Sequence, residues 1–381
     1  MARLPVRSQP DRSRSMSRLT AVYRIRSDAA AIAARARAIA VEQSVEMPVE
    51  AIDDATVLAG IVGRVEEIGD LGGGVFEARI ALAVATTGGE PGQLLNMLFG
   101  NSSIHDDVVL HDVELPPAMA ASFGGPRHGL EGLRRRCDAA GRAMTCSALK
   151  PQGLAADALA LIAGRLAEGG IDYIKDDHGL ADQAYSPFAE RVRAVTGALS
   201  EVARATGRRT RYAPSLSGDL DAMRRQAALA REFGIDIVLI APMIAGLANF
   251  HALVRGFPDM AFMAHPAMAG AARIAPPLLL GRLFRMLGAD ATIFPNFGGR
   301  FGYAAETCRA LADRARMPYH DLKGSAPVPA GGMTAERVPG MLDFYGRDVM
   351  LLIGGGLLSA RERLAEAAAG FARQVASHAY R

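Results

Sequence analysis

The sequence contains no tryptophan and only three cysteines, and its apolar stretches are short. Cys137, Cys146 and Cys308 are odd in number and lack the spacing of metal ligands, so we expect reduced thiols, as in cytoplasmic proteins. No apolar run reaches the roughly 18–20 residues that cross a bilayer. The net charge of +3 on 381 residues is too small to indicate nucleic acid binding. Neither a membrane nor a nucleic acid is therefore an expected partner.

Arginine is concentrated at the start of the chain, in residues 1–16. This segment lacks the apolar core of a secretion signal, and we interpret it as a disordered basic leader. An RNA-binding arm and a targeting peptide are the alternatives. Met16 precedes the first strand-like pattern and is an alternative start of translation. The length of the chain exceeds one ordinary core, which favours a large domain with a smaller one beside it in the sequence.

Residues 17–140 are predicted to form the smaller domain, of the α+β ferredoxin-like type. Strand-like patterns occur in LTAVYRI, VLAGIVGRVEEIGD and GGGVFEARIALAV, and helical patterns in DAAAIAARARAIAVEQS and PGQLLNMLFG. Because the strands and helices do not alternate strictly, a mixed domain fits better than repeated βα units. The segment HDDVVLHD, at positions 105–112, is interpreted as a solvated turn.

Residues 141–381 are predicted to form a (β/α)8 TIM barrel. Eight short apolar runs occur there, most of them followed by a helical pattern: AMTCSAL, DYIK, TRYAPSL, DIVLIAP, MAFMAH, ATIFP, PYHDL and VMLLIGG. Eight β-then-α units match a closed parallel barrel, which needs about 250 residues. A doubly wound open sheet is the alternative, but it would usually carry a glycine-rich nucleotide loop after its first strand. The first strand here is not followed by such a loop.

Polar residues and glycines follow the predicted barrel strands, where catalytic groups of such barrels lie. They are Lys150, Lys175, Asp177, His178, His265, Asn296, Gly331, Gly332 and Gly354 to Gly356. In GGIDYIKDDHG, Lys175 and Asp177 alternate along a strand and therefore point to the same side. A lysine beside two carboxylates is often a structural ion pair, but the other strand ends favour a site. Carboxylate oxygens suit Mg²⁺.

Several of these motifs resemble the RuBisCO large-subunit superfamily. FGGPRHGLEGLRRR and the following LKPQGL are similar to the segment that leads into that family's first barrel strand, and GGIDYIKDDHG is similar to its Gly-Gly-x-Asp-x-x-Lys-Asp-Asp-Glu signature. PAGGM and LLIGGG extend the similarity, which runs from about Leu19 to the end of the chain. KDDHG together with KPQGL looks most like the non-photosynthetic bacterial branch of the RuBisCO-like proteins, known as form IV.

The resemblance implies a set of roles. Lys175 would react with CO2 to form a carbamate, which would bind Mg²⁺ together with Asp177. Lys150 would move protons. Glu42 and Asn101, from the smaller domain, would reach the active site of a partner subunit, so a homodimer is expected. A carbamate also makes physical sense, because it is an anionic oxygen ligand whereas an ammonium would repel a cation, and burial favours the neutral amine that reacts.

One departure from the family concerns the third metal ligand, where the signature has glutamate and this chain has His178. Histidine is a nitrogen donor, which suits Mn²⁺ or Zn²⁺ better than Mg²⁺. Three interpretations stay open: His178 is a metal ligand, an acid or base facing the substrate, or a structural residue.

Two further departures argue against CO2 fixation. Gln152 replaces the second lysine of the Lys-Pro-Lys motif of the carboxylases, and the loop PNFGGRFGY lacks the lysine that holds the incoming CO2, with Arg300 as its nearest cation. Useful carboxylation of ribulose 1,5-bisphosphate is therefore not expected. Enolisation needs the metal and Lys150, so these departures do not argue against it.

The glycine segments predict one phosphate site. In the family, one phosphate of the substrate rests on backbone N–H groups from two such segments, and Gly331, Gly332, Gly354, Gly355 and Gly356 are all retained here. Glycines let the main chain approach an anion, and a short helix after the eighth strand would add its dipole.

The second phosphate site of the family is not retained. Its His-Arg pair, second histidine and serine correspond to His265 with Pro266, Asn296 and Ala330. Proline cannot replace the arginine fork, which is the strongest phosphate clamp available. We therefore expect a small, singly phosphorylated substrate, with His265, Asn296 and Arg300 as further substrate contacts.

The expected reaction forms an enediolate from a phosphorylated sugar or keto-sugar acid. Within the RuBisCO-like proteins, the resemblance leans to a lyase of the 3-oxo-isoapionate 4-phosphate decarboxylase or transcarboxylase type. The alternative is an enolase or isomerase of a methylthioribulose-phosphate-like ketose, as in methionine salvage. A non-catalytic, phosphate-binding regulatory barrel is the alternative from another class of protein.

Overall fold

The computed structural model describes residues 17–380, which divide into two compact units between Pro116 and Pro117. The predicted leader at residues 1–16 lies outside the described residues. The sequence put the domain boundary at residue 140, whereas the structure assigns helices α4 (Pro117–Ser122) and α5 (Gly129–Arg136) to the second unit. None of the described helices is long and apolar enough to cross a membrane.

The first unit is an antiparallel four-stranded sheet with helices. Its strands are β1 (Arg18–Arg26), β2 (Arg64–Asp70), β3 (Val75–Ala83) and β4 (Val108–Glu114). Its helices are α1 (Ile32–Glu42), α2 (Ala55–Gly60) and α3 (Pro91–Phe99), with 3₁₀ turns at Val49–Ala51, Val84–Thr87 and Asn101–Ile104. The strand order β2-β3-β1-β4 and the chain order βαββαβ are those of a ferredoxin-like fold. The predicted fold class of this unit is confirmed.

Two elements of the first unit differ from the sequence prediction. The start of VLAGIVGRVEEIGD is helix α2, because the Asp54 carboxylate accepts the N–H groups of Thr56 and Val57 and caps it. Positions 105–112, interpreted as a turn, contribute most of strand β4, which pairs with β1. A β-bulge interrupts the alternation of apolar and polar residues in β4, so the pattern did not predict a strand there.

The second unit contains eight parallel strands. They are β5 (Met144–Leu149), β6 (Tyr173–Asp176), β7 (Arg211–Ala213), β8 (Ile237–Ile240), β9 (Ala261–Ala264), β10 (Ala291–Pro295), β11 (Ala326–Ala330) and β12 (Met350–Leu352). The helices after α5 are α6 (Ala156–Glu168), α7 (Phe188–Thr206), α8 (Leu220–Glu232), α9 (Pro242–Ala245), α10 (Leu247–Gly256), α11 (Phe284–Met286, which continues the π-helix Pro277–Leu283), α12 (Ala305–Arg316), α13 (Val338–Tyr345), α14 (Gly355–Leu358) and α15 (Leu364–Ser377), with short 3₁₀ turns at Ala269–Ala271, Ala335–Arg337 and Arg361–Arg363. This alternation confirms the predicted barrel.

The eight strands form two four-stranded sheets, with the strand orders β12-β5-β6-β7 and β8-β9-β10-β11. A bridge between Ser215 and Leu239 joins β7 to β8. Strand β11 lies beside β12 without a regular ladder between them. The Ala326 N–H donates to the Asp290 carbonyl just before β10. The backbone groups of the alternate residues Pro327 and Pro329 therefore point toward β12. Proline has no N–H, so these two residues cannot donate to that strand. The prolines therefore account for the gap.

The seventh strand was placed wrongly by the sequence reading. The structure forms it from APVPA, residues 326–330, whereas PYHDL, residues 318–322, lies in the preceding loop with only isolated bridges. Two prolines in five residues argue against a strand on local grounds. The strand forms because its other residues pair with β10 and its side chains are buried in the barrel.

The interior of the barrel is a packed apolar core, which includes Cys146, Leu239, Met263, Ile293 and Val328. The thiols of the chain are unpaired; Cys146 and Cys308 are buried, and Cys137 is partly exposed. Such a core makes the barrel a rigid support and leaves the strand ends free to carry polar groups.

Candidate active site

A cavity of about 480 Å³ lies at the carboxyl ends of the barrel strands. It is lined by most of the residues singled out in the second unit: Lys150, Lys175, Asp177, His178, His265, Arg300, Gly331, Gly332, Gly354 and Gly355. The chain has only three lysines, and two of them face this cavity. Lysine differs from arginine in that it can lose its proton within reach of neutral pH, so this distribution suits proton transfer.

Lys175 lies near the end of β6, and its side chain is buried at 3% exposure. Its neighbours in register on β5 and β7 are Ala148 and Ala213, whose small side chains leave room for it. Its Nζ donates to the Asp176 carbonyl over 2.9 Å. Burial lowers the pKa of Lys175, which favours the neutral amine, the form that reacts with CO2.

Asp177 and Lys150 form an ion pair in the cavity wall, with 2.6 Å between the Lys150 Nζ and the Asp177 Oδ1. Burial raises the pKa of Asp177, but hydrogen bonds from His178 and Lys150 lower it by more, so the pKa lies below its ordinary value. Asp177 is therefore a carboxylate at neutral pH, available as an anionic ligand or as the partner of a cation.

His178 and His265 stack face to face, with 4.2 Å between ring centroids and 8° between planes. The Nδ1 of His265 accepts the Ala267 N–H over 3.1 Å, so in the neutral ring the proton lies on Nε2. Burial, with the nearby charge of Lys175, lowers the pKa of His265 to about 2. His265 is therefore a neutral hydrogen-bond donor at physiological pH. His178 is more exposed, and its Nδ1 lies 3.3 Å from the Asp177 Oδ1.

The donor set for a divalent cation is incomplete without Lys175. Between residues 17 and 380, His, Cys, Asp and Glu side chains do not form a group of three that could hold a metal ion. Asp177 and His178 supply one carboxylate and one imidazole at the cavity wall. As an ammonium Lys175 would repel a cation, whereas as a carbamate it would add anionic oxygens. The residues therefore fit a metal only with Lys175 modified.

The two glycine segments meet on one side of the cavity. Gly331 and Gly332 adopt φ values of +90° and +81°, a region that favours glycine. Gly354 precedes α14, the short helix predicted after the last strand, and a Cβ there would lie 3.8 Å from the Lys150 Cε. The main chain at this side is thus open to an anion. Gly356 does not line the cavity; a Cβ there would come within 2.7 Å of the Met333 carbonyl oxygen.

Not every candidate residue reaches the cavity. Asn296 is fully buried, accepts from the Tyr345 hydroxyl and donates to the Met333 Sδ over 3.2 Å. Its amide is satisfied inside the protein, so a substrate contact there has no support. Glu42 and Asn101 belong to the first unit, where the Asn101 Nδ2 donates to the Glu42 Oε1 over 2.8 Å. The predicted role of this pair in the active site of a partner subunit stays a prediction.

The sequence reading missed an apolar wall of the cavity. Met268 and Phe301 are 60% and 52% exposed, and Pro266, Ala267 and Tyr303 line the cavity with them. Exposed large apolar residues next to polar site residues indicate a binding surface. The two aromatic residues of PNFGGRFGY after its glycines were the available signal.

Comparisons with known proteins show the family and the fold of the chain. The model of the ribulose bisphosphate carboxylase large chain, catalytic domain, matches residues 129–381. A 5-methylthioribulose-1-phosphate isomerase of Rhodospirillum rubrum is 60% identical over 96% of this chain and 98% of its own. A 2,3-diketo-5-methylthiopentyl-1-phosphate enolase of Geobacillus kaustophilus is 34% identical over 69% of this chain and 66% of its own. The crystal structure of a Rubisco-like protein from Rhodopseudomonas palustris superposes with a TM-score of 0.90 at 56% identity, covering 96% of this chain and 99% of that one.

Proposed function

The chain belongs to the ribulose bisphosphate carboxylase large-chain family as a RuBisCO-like enzyme, and we propose that it isomerises or enolises a singly phosphorylated ketose with an apolar tail, such as 5-methylthioribulose 1-phosphate. The observation that carries the proposal is the identity of 60% to an isomerase of that substrate across almost the whole of both chains. The relatives support the enolase or isomerase alternative better than the decarboxylase that the sequence analysis favoured.

The two sides of the cavity suit the two ends of such a substrate. The glycine segments at Gly331 and Gly354 offer backbone N–H groups to the phosphate. Met268 and Phe301 offer an apolar surface on which a methylthio group would lose contact with water. Burial of such a group contributes about 1–2 kcal/mol, and sulfur also packs well against aromatic rings. At the positions that match the second phosphate site of the family, Pro266 and Ala330 line the cavity without a side-chain donor, and only His265 is retained.

Lys150 is the proposed proton carrier. Isomerisation moves a proton between neighbouring carbons of the substrate, so one side chain must take it up and return it. Lys150 projects into the cavity beside the Asp177 carboxylate, which orients its Nζ. The neutral His265 would donate its Nε2–H to a substrate oxygen and stabilise the negative charge that develops there.

We also propose that Lys175, as a carbamate, Asp177 and His178 hold a divalent cation. Mg²⁺ is the first candidate, with Mn²⁺ or Zn²⁺ favoured if His178 is a ligand. When bound, the cation would polarise the ketone and offset negative charge. His178 faces the cavity, which supports a ligand or an acid–base role more than a purely structural one.

A homodimer that shares its active sites is proposed from Glu42 and Asn101. Subunit mixing tests it, because an Asn101→Ala protein and a Lys175→Ala protein would each be inactive. If the site is shared, co-refolded mixtures regain up to about a quarter of wild-type activity through one intact site per heterodimer, by random association. Mixtures without activity, or a monomer by analytical ultracentrifugation, would contradict the shared site.

The reaction is tested by proton NMR in deuterium oxide with Mg²⁺ or Mn²⁺ present. We expect 5-methylthioribulose 1-phosphate to exchange a carbon-bound proton for deuterium and to form an isomeric ketose, and Lys175→Ala to do neither. Release of CO2 from 3-oxo-isoapionate 4-phosphate, without exchange in the ketose, would instead support the decarboxylase. Ribulose 1,5-bisphosphate with labelled bicarbonate is the third arm, and no fixation is expected there.

A further inference from the structure

A buried ion pair lies directly behind the catalytic side chains of β6. Asp176 stands between Lys175 and Asp177 in the sequence, and on a strand its side chain points to the opposite side from theirs. The Asp176 carboxylate and the Arg191 guanidinium are both completely buried, and 3.0 Å separates Oδ2 from Nε. The pair therefore faces the barrel wall and the surrounding helices, not the cavity.

The remaining donors of Arg191 bind the loop that follows β6. Its Nη1 donates to the Ser186 carbonyl over 2.5 Å, and its Nη2 donates to the Ala181 carbonyl over 2.8 Å. That loop begins with Asp177 and His178 and runs to the start of α7, on which Arg191 lies. One guanidinium thus fixes the strand end and the loop that together present the cavity residues.

The remaining acceptor positions of Asp176 bind β7 and the residues that directly follow it. The Tyr212 hydroxyl donates to Oδ1 over 2.7 Å, and the Ser215 N–H donates to Oδ2 over 3.0 Å. Burial raises the pKa of Asp176, and Arg191, Tyr212 and Ser215 act in the opposite direction. The carboxylate is therefore held from three sides, so the rotation of β6 about its axis is fixed at this residue.

We propose that Asp176 and Arg191 are positioning residues that orient Lys175, Asp177 and His178 for the reaction. Desolvation of two charges generally offsets their attraction, so a buried pair contributes little net stability over an apolar packing of the same volume. A geometric role accounts for a charged pair at this place. The catalytic part of this inference rests on the proposed function.

The chain offers a matched control at the other end of β6. Arg142, which is partly exposed, and the buried Asp172 form a second Arg–Asp pair, with two contacts of 2.7 Å, just before the strand begins. Arg191→Lys and Arg142→Lys make the same chemical change, since each keeps the charge and removes the planar fork. Only Arg191→Lys changes the loop beside the cavity.

The test measures kcat, KM, Mn²⁺ affinity and amide hydrogen exchange in both variants. We expect Arg191→Lys to lower kcat and Mn²⁺ affinity by about 10–100-fold, as loss of an orienting partner does at metal sites, with little change in KM. Exchange in the segment 177–187 rises. Arg142→Lys should leave kcat, Mn²⁺ affinity and that segment unchanged, although its unfolding temperature falls. Tyr212→Phe, which removes one hydrogen bond to Asp176, is the milder variant if Arg191→Lys does not fold.

Equal effects of the two Arg→Lys changes on kcat and on exchange at 177–187 would overturn the inference. Hydrogen exchange separates this outcome from failure of the proposed function, because it needs neither substrate nor metal. If the wild-type protein neither turns over a phosphorylated ketose nor binds Mn²⁺, the proposed function fails. Raised exchange confined to 177–187 in Arg191→Lys would still support the positioning of the loop, and unchanged exchange would reject it.

Discussion

Asp290 and Asp172, at the amino ends of barrel strands, accept from backbone N–H groups or from an arginine, whereas Asp177, after the carboxyl end of β6, accepts from a lysine and a histidine. Asp290, before β10, accepts N–H groups from His128, Gly129 and Phe262 at 2.6–2.9 Å. Asp172, before β6, accepts from the Thr145 N–H and from both arms of an arginine. At the cavity, by contrast, Asp177 accepts from two side chains that can each lose a proton, Lys150 and His178.

This difference in hydrogen-bond partners indicates that the acids at the amino ends stabilise the barrel and that Asp177 takes part in the chemistry. A carboxylate that accepts three or four hydrogen bonds holds its neighbours in place and has little acceptor capacity left for a ligand. The cavity groups are instead held in costly environments, which lower the pKa values of Lys175 and His265. Perturbed groups of this kind cluster where chemistry occurs. Changes at the two ends should therefore separate cleanly into losses of activity and losses of stability.

The largest effect is expected from Lys175→Ala. It should lower kcat by more than about 1,000-fold, because the proposed carbamate ligand cannot form, equivalent to roughly 4 kcal/mol of transition-state energy. The unfolding temperature should stay the same or rise, since a buried amine with a lowered pKa is removed. Lys323→Ala, at an exposed lysine before β11, is the control and should keep full activity. Turnover in Lys175→Ala near the wild-type rate would remove this residue from the site.

Asp172→Asn should have the opposite profile. The amide carries no charge, so the partly exposed Arg142 loses its ion-pair partner, and the free energy of unfolding should fall by about 3 kcal/mol. The activity of the folded fraction should stay within twofold of wild type, because Asp172 lies at the amino end of β6 and the cavity lies at the carboxyl end. Urea denaturation and turnover below the transition measure the two quantities. Asp221→Asn, in an exposed pair with Arg224, should change stability by about 0.5 kcal/mol or less. A selective loss of kcat in Asp172→Asn would contradict the division.

The next effect is a dependence of stability on pH at the cavity. The pKa of His265 falls from 6.5 to about 2 on folding, so below pH 6.5 the unfolded chain binds a proton that the folded protein does not. Stability from this group is complete above pH 6.5 and is lost as the pH falls, by about 2 kcal/mol between pH 6.5 and pH 5. His265→Asn keeps an acceptor for the Ala267 N–H without titrating. Denaturation at both pH values should show a smaller acid loss in this variant, and equal losses would contradict a buried neutral His265.

The carboxyl end of the barrel was largely predictable from the sequence, and the rest was hidden for identifiable reasons. Lys175 lies on β6 and Asp177 directly follows that strand, so their two-residue spacing alone predicts that they lie together. Strand β11 was missed because its prolines contradict local propensity, and tertiary pairing overrides it. Arg191 was missed because it lies on an amphipathic helix and meets Asp176 across 15 residues. The apolar wall was missed although Phe301 and Tyr303 were a signal for it, because single exposed apolar residues are common on any surface.

The smallest expected effect compares two glycines with nearly the same backbone. Gly332, in the cavity, has φ +81°, and Gly141, before β5 at the other end, has φ +78°. Alanine at either position should cost about 1 kcal/mol of stability, because left-handed backbone disfavours a Cβ. At Gly332 the Cβ would also lie 2.8 Å from the Arg300 Cγ, whereas at Gly141 it would meet open space. Gly332→Ala should therefore raise KM for the phosphorylated ketose by about 10-fold, the loss of roughly one phosphate contact, and Gly141→Ala should leave it unchanged. Equal KM values in the two variants would show that the phosphate binds elsewhere in the cavity.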